Sequence, residues 1–262
     1  MNNRIYITHK DISEALTRIG IGSGDIVMLH ADTMVLAQMK EVELEEKMAI
    51  LTNAFQNAIG VDGTLIVPTF SYSFCMNKSF DVLKTPSAKE LGVYSEFIRK
   101  YPQGHRTLDP IFSVKMIGKE EDKALSLSCL DCFGESSIFD FLYQNNGKIV
   151  CLGCPLDRAT FVHYLEQKSK VDYRYFKYFS GNIIDMNGDI TPKSVRYLVR
   201  NLDMDFVIDL KQFKESLLAN GKMLNSQIGR VGISSVDCKT FFSEGLLYLN
   251  KFPNGLIRKY NK

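Results

Sequence analysis

The chain has 262 residues, 45% hydrophobic and 24% charged, with a formal net charge of +2. That length can bury a full core unaided, and the scattered basic residues leave no electrostatic footprint for nucleic acid. No apolar run reaches the ~18 residues of a membrane helix, and the opening MNNRIYITHK lacks a signal-peptide core. The expectation is a cytoplasmic protein with no membrane or nucleic-acid partner, its six cysteines unbridged.

Thr8 and Asp11 have capping-box spacing and open a helix through Leu16 and Ile19 that stops at Gly20-Ile21-Gly22. The apolar run 25–29 then predicts a buried strand ending in the polar loop His30-Ala31-Asp32. Residues 43–59 carry helical periodicity through Leu44, Met48, Leu51 and Phe55 and end at Gly60; a turn at 61–63 leads into a strand over 64–67. From 68 to 110 regular patterning thins, with Ser, Thr, Asn and Asp crowded between aromatics. A long loop of that kind after a buried strand is a binding loop. A short helix is expected at 92–101, a strand at 111–117, and mixed structure over 122–140 with a turn at 133–136.

Residues 147–167 read as a buried strand (Ile149, Val150, Leu152), a break at Gly153 and Pro155, and a helix restarting near Arg158. Past 170 come Tyr173, Tyr175, Phe176, Tyr178 and Phe179, a hairpin over 183–191 around Asn187-Gly188, a short helix at 213–218, short strands, and a helix at 241–250. Together these predict a mixed α/β fold. A mixed central sheet flanked by helices fills residues 1–170, and a smaller lobe of short antiparallel strands, 171–262, packs on it.

His163 and Glu166 lie three apart on the predicted helix and share a face. Read plainly, they are a half-buried histidine capped by its neighbour. The glycine break just before them and the carboxylate one turn away also suit a catalytic base. Cys129-x-x-Cys132 and Cys151-x-x-Cys154 have zinc-ribbon spacing, yet Cys151 ends an apolar strand, where a buried free thiol is the commoner outcome. Ser71, Ser73 and Asp81 are turn formers or site residues; His105 and Arg106 are a solvated basic spot or anion contacts. The chain has no GxxxxGK[ST], GxGxxG or GxSxG motif.

Several blocks in order resemble the aminoglycoside N3-acetyltransferase family: GDIVMLHAD at 24–32, GTLIVPTFS at 63–71, Phe80-Asp81 with Thr85-Pro86-Ser87, RTLDPIFS at 106–113, and 153–166 ending in Thr160-x-x-His163-x-x-Glu166. The resemblance runs from about residue 8 to 181 and more weakly onward. It implies an acyl-coenzyme A-dependent N-acyltransferase, acting on a sugar amine without a metal. The family usually has Ser and His where this chain has Thr107 and Asp109. That departure, with the serine and aspartate of loop 71–81, points to members that N-acylate nucleotide-linked amino sugars for surface polysaccharides such as O-antigen. The expected acceptor is therefore a dTDP-linked amino dideoxy sugar; the alternatives are an aminoglycoside antibiotic or a non-catalytic zinc-ribbon module.

The resemblance also implies roles. His163 is the general base for direct attack and Glu166 orients it; Asp81 holds the substrate ammonium, and Ser71 donates to the thioester carbonyl or the sugar. His30, Ala31, Asp32, Thr69, Thr85, Ser87, Arg106 and Ser113 line the coenzyme A channel, with Arg106 on a phosphate. Tyr72, Ser73, Asp109, Gly153 and Thr160 lie on the substrate side. The loop 71–81 should face His163. Whether the protein is a homo-oligomer is left open.

Overall fold

The structure, a computed structural model, describes residues 6–40, 42–128 and 130–259. In chain order it holds α1 (His9–Arg18), β1 (Ile26–Ala31), α2 (Leu44–Ile59), β2 (Thr64–Pro68), β3 (Phe80–Asp81), α3 (Val93–Lys100), β4 (His105–Arg106), β5 (Val114–Gly118), α4 (Ile138–Gln144), β6 (Lys148–Leu152) and α5 (Val162–Ser169). Then follow β7 (Arg174–Ile184), β8 (Ile190–Arg200), β9 (Phe206–Ile208), α6 (Lys211–Ala219), β10 (Leu224–Ile228), β11 (Val231–Asp237), α7 (Cys238–Lys251) and β12 (Ile257–Lys259). No helix among the described residues is long and apolar enough to cross a membrane.

A seven-stranded mixed sheet, ordered β10-β11-β6-β1-β2-β5-β4, organises the molecule. Its centre is parallel, β6 and β2 flanking β1, while β11 and β5 run antiparallel on either side. The central strands are buried on both faces, and their side chains alternate between two cores as the two-residue period of a strand requires. Val27, Leu29, Leu65, Val67, Val150 and Leu152 pack in the core that holds α1, α2 and α3 residues such as Leu16, Phe55 and Tyr94. Met28, Ile66, Ile149 and Cys151 point the other way, into the core with Phe139, Leu165, Phe213 and Phe241 from α4 to α7. Cys151 is thus a packing residue.

The mixed α/β expectation, with a small antiparallel sheet beside the large one, is met. The capping box at Thr8 and Asp11 forms as predicted. Two differences matter. The hairpin is far longer than 183–191: β7 and β8 pair along eleven residues each, and the aromatic cluster after residue 172 is its first strand. Alternation there is masked because residues 175–178 are all exposed or half-exposed aromatics and a lysine. The main sheet also crosses the expected boundary at residue 170, since β11 pairs with β6 along its whole length.

Candidate active site

The carboxyl ends of β1, β2 and β6 open on one rim, the place where open α/β sheets take ligands. A cleft of ≈ 340 Å³ lies there and gathers His30, Ala31, Asp32, Tyr72 and Thr160 from separate stretches of sequence. It adds three groups that patterning missed: Glu90, Asp157 and Arg158. Among the described residues Asp32, Glu90 and Asp157 stand against one cation, Arg158, so this lining is net acidic. No sequence signal marks this, because 32, 90 and 157 are brought together only by the sheet.

Local geometry fixes the rim. Gly153 adopts φ +70°, and a Cβ there would stand 3.1 Å from both Asp32 and Val231 side chains, so any side chain at this turn would be strained and crowded. Asp32 caps the short helical turn that follows it, Oδ1 accepting from the Met34 N–H at 2.9 Å. Tyr72 holds a left-handed φ of 54°, a conformation that costs a non-glycine residue on the order of 1 kcal/mol and clusters at functional sites. The His30 ring is buried, and desolvation drives its pKa down to about 4. It rests neutral.

His163, in the first turn of α5, places Nδ1 2.5 Å from Oε2 of Glu166, which has no exposed surface. That contact assigns the proton to Nδ1 and leaves Nε2 as the lone-pair nitrogen. Burial and Arg174 lower the histidine pKa below its usual 6.5, outweighing the upward pull of Glu166. Burial pushes Glu166 up, but His163 and Arg174 together hold it below the ordinary glutamate value. The imidazole edge packs on Phe133 at 5.4 Å, and the ring series Phe133–Phe112–Tyr72 continues at 4.9 and 5.8 Å. Phe70 also meets Phe112, at 5.0 Å, so the loop after β2 reaches the histidine through Phe112 and Phe133.

Several expected site residues lie elsewhere. Arg106 is 4% exposed, and its guanidinium donates to Thr69, Val82, Thr85 and Ser113, including 2.6 Å contacts to the Thr69 and Thr85 carbonyls. Desolvation lowers its pKa to about 9. This knot ties the loop after β2 to β4 and engages all three nitrogens of the buried Arg106 guanidinium, so the side chain is held as a structural tie; Thr69, Thr85 and Ser113 belong to it. Ser87 is buried against Glu96 and Ser95. Ser71 donates to the Pro110 carbonyl at 2.8 Å and receives the Ser73 hydroxyl at 3.1 Å. Asp109 Oδ1 accepts the Ile111 and Phe112 N–H groups at 2.8 Å each, an Asx turn inside the protein. Asp81 caps its own turn through the Leu83 and Lys84 N–H groups, and among the described residues no hydrogen bond or ion pair joins it to His163. These are short local bonds that the sequence shows only as polar residues near aromatics.

The zinc-ribbon alternative finds no support. Cys132 and Cys151 are packed in the core, and the Cys154 thiol donates to the His30 carbonyl; Cys129 lies outside the described residues. A second cleft, ≈ 800 Å³, meets the first at Cys154 and is lined by Gly153, Arg18, Lys214 and Arg230, with no carboxylate in its wall among the described residues.

The site thus comprises a mixed sheet with a cleft at its carboxyl rim, lined in part by Thr160, and a buried histidine–glutamate pair one turn further on, neither member of which is among the residues lining the two clefts. The profile described as Aminoglycoside 3-N-acetyltransferase matches residues 28–250, and the chain belongs to that family. It is 23% identical over 267 aligned positions to the aminoglycoside N(3)-acetyltransferase III of Salmonella sp, covering 93% of this chain and 92% of the relative. It is likewise 23% identical to the aminoglycoside N(3')-acetyltransferase-like protein YokD of Bacillus subtilis, across 89% and 87% of the two chains. Among solved structures, AAC-IIIb in binary complex with CoASH superposes with a TM-score of 0.78 at 20% identity, covering 94% of this chain and 97% of the other. By this family membership the chain is an acyltransferase.

These findings overturn the nucleotide-linked amino sugar as acceptor, and with it polysaccharide synthesis: the family is described as aminoglycoside 3-N-acetyltransferase and the Salmonella relative is named as one. The two cues that had favoured it are accounted for structurally. Asp109 closes an internal turn, Ser71 donates to the Pro110 carbonyl, and Asp81 caps its own turn.

Proposed function

We propose that the chain moves an acetyl group from acetyl-coenzyme A to an amino group of an aminoglycoside, by direct attack in a ternary complex. The observation that carries this reading is the His163–Glu166 pair, a base with its proton fixed on Nδ1 and its pKa lowered. The attacking amine must shed a proton as its nitrogen bonds to the thioester carbonyl carbon, and Nε2 accepts it. Glu166 stabilises the imidazolium formed. Collapse of the tetrahedral intermediate breaks the C–S bond, and the proton on Nε2 passes to the departing coenzyme A sulfur. No protein nucleophile is needed.

Charge sorts the two substrates. An aminoglycoside is polycationic and suits the cleft holding Asp32, Glu90 and Asp157; Tyr72 and Thr160 line its path. The phosphates of the donor suit the adjoining cleft of Arg18, Lys214 and Arg230, in place of the occupied Arg106. The test is a thiol-release and mass-spectrometric assay with acetyl-coenzyme A and gentamicin- or sisomicin-type amines. A product heavier by one acetyl group, formed with stoichiometric thiol, is expected. Thiol release no faster than background hydrolysis with every such amine would sink the proposal.

A further inference from the structure

Glu166 has no exposed surface, yet one of its oxygens faces two potential cations. His163 Nδ1 lies 2.5 Å from Oε2, and Nε of Arg174, the first residue of β7, lies 2.7 Å from the same atom. The arginine contact is one of charge at close range, with its N–H off the line to the oxygen. The Arg174 side chain is 5% exposed.

Counting charge decides how this trio rests. A buried carboxylate facing only a histidine draws a proton onto the ring, because the resulting pair is neutral and the separated anion is not. A histidine so protonated cannot accept another proton. A guanidinium stays charged throughout the working range. With it against the same oxygen, neutrality is reached while the imidazole is still a free base, and protonation would leave a net positive charge in a site with little solvent. The surrounding groups supply no substitute. The Tyr173 hydroxyl beside Glu166 is held neutral by burial; Phe133 and, on β8, Tyr197 present rings; and Asp131 is taken by Arg196 and Gln167.

We propose that Arg174 is a positioning residue that neutralises Glu166 and so keeps His163 in its proton-accepting form. This rests on His163 being the base. It also accounts for an arginine whose side chain is buried at the first position of β7.

Histidine-selective NMR titration of the full chain, with the His163→Asn spectrum assigning the signal, reads the proton directly; the acid limb of kcat/KM reads its consequence. Arg174→Met should raise both midpoints by about one pH unit or more, cutting activity near pH 6.5 by about ten-fold while restoring it at higher pH. Arg174→Lys, which keeps the charge, should leave the midpoint low. Should Arg174→Met not fold, Glu166→Gln is compared with Glu166→Gln/Arg174→Met, where removing the cation must again raise the His163 midpoint. Midpoints unmoved in the pair measured, or activity lost equally at every pH, would overturn the proposal. The titration needs neither substrate, so failure to acetylate any aminoglycoside would sink the functional reading and leave this result standing.

Discussion

The thiol of Cys154 donates to the backbone carbonyl of His30 across 3.4 Å, and the His30 ring beside it keeps a buried Nε2 with no partner among the described residues. The two residues hold the turn after β6 against the end of β1, where His30 and Cys151 are also register neighbours. The contact fixes backbone and leaves the ring dry.

That dryness sets an acid sensitivity. The folded His30 pKa is about 4 against 6.5 for a free histidine, so the unfolded chain binds the proton more readily between those values. Stability is then fully present above pH 6.5 and falls as pH drops towards 4, by roughly 3 kcal/mol at about 1.4 kcal/mol per unit. His30→Gln should flatten this part of the stability-versus-pH curve, whatever its effect at neutral pH. Denaturant melts at several pH values check it, and an unchanged slope would refute it.

Asp109 works in the opposite direction. Burial raises its pKa from 3.8 to about 6, so the folded state favours the protonated acid and loses stability as pH rises between those values. Asp109→Asn keeps the oxygen that accepts the Ile111 and Phe112 N–H groups and removes the charge. The variant should gain about 1–3 kcal/mol at pH 7–8 and nothing near pH 4. Thermal unfolding at both pH values gives the comparison.

How much of this was legible beforehand follows from the range of the interactions. The capping box at Thr8, the helix stop at Gly60 and the strand–glycine–helix run into His163 are local, and sequence spacing carries them. The His163–Glu166 pair is one helical turn, so it too could be read. Arg174 could not: it lies on the next strand, and only the chain reversal after α5 brings it to Glu166. Arg106 misled for the converse reason. Its residue type suits a phosphate, and nothing in the sequence shows that carbonyls from residues 69, 82 and 85 already surround it.

Replacing the base isolates chemistry from binding. His163→Asn should lower kcat by about 10²–10⁴ while coenzyme A affinity stays within a few-fold, since the lost group acts mainly in the transition state. Steady-state kinetics beside calorimetric titration with coenzyme A measure both. Near-normal turnover would remove His163 from the mechanism.

The basic cleft is tested with a shortened donor. Lys214→Ala combined with Arg230→Ala should raise KM for acetyl-coenzyme A by about ten-fold, roughly 1.4 kcal/mol, and more visibly at low salt. Acetyl-pantetheine, which lacks the nucleotide phosphates, should react equally well with the variant and the parent. A matching loss with both donors would show that the two side chains do something other than hold phosphate.

The join between β6 and β11 has a consequence for synthesis. The N–H of Gly153 bonds to the Gly232 carbonyl at 2.8 Å, and β6 has β11 as its outer neighbour. As the ribosome releases the chain from its N-terminus, β1, β2 and β6 can assemble early, but β6 then waits as an open apolar edge until residues 231–237 emerge. Vectorial synthesis should therefore create an interval in which this edge is unpaired and prone to association. Chaperone demand should concentrate in that interval, and slowing translation over β7 and β8 would lengthen it.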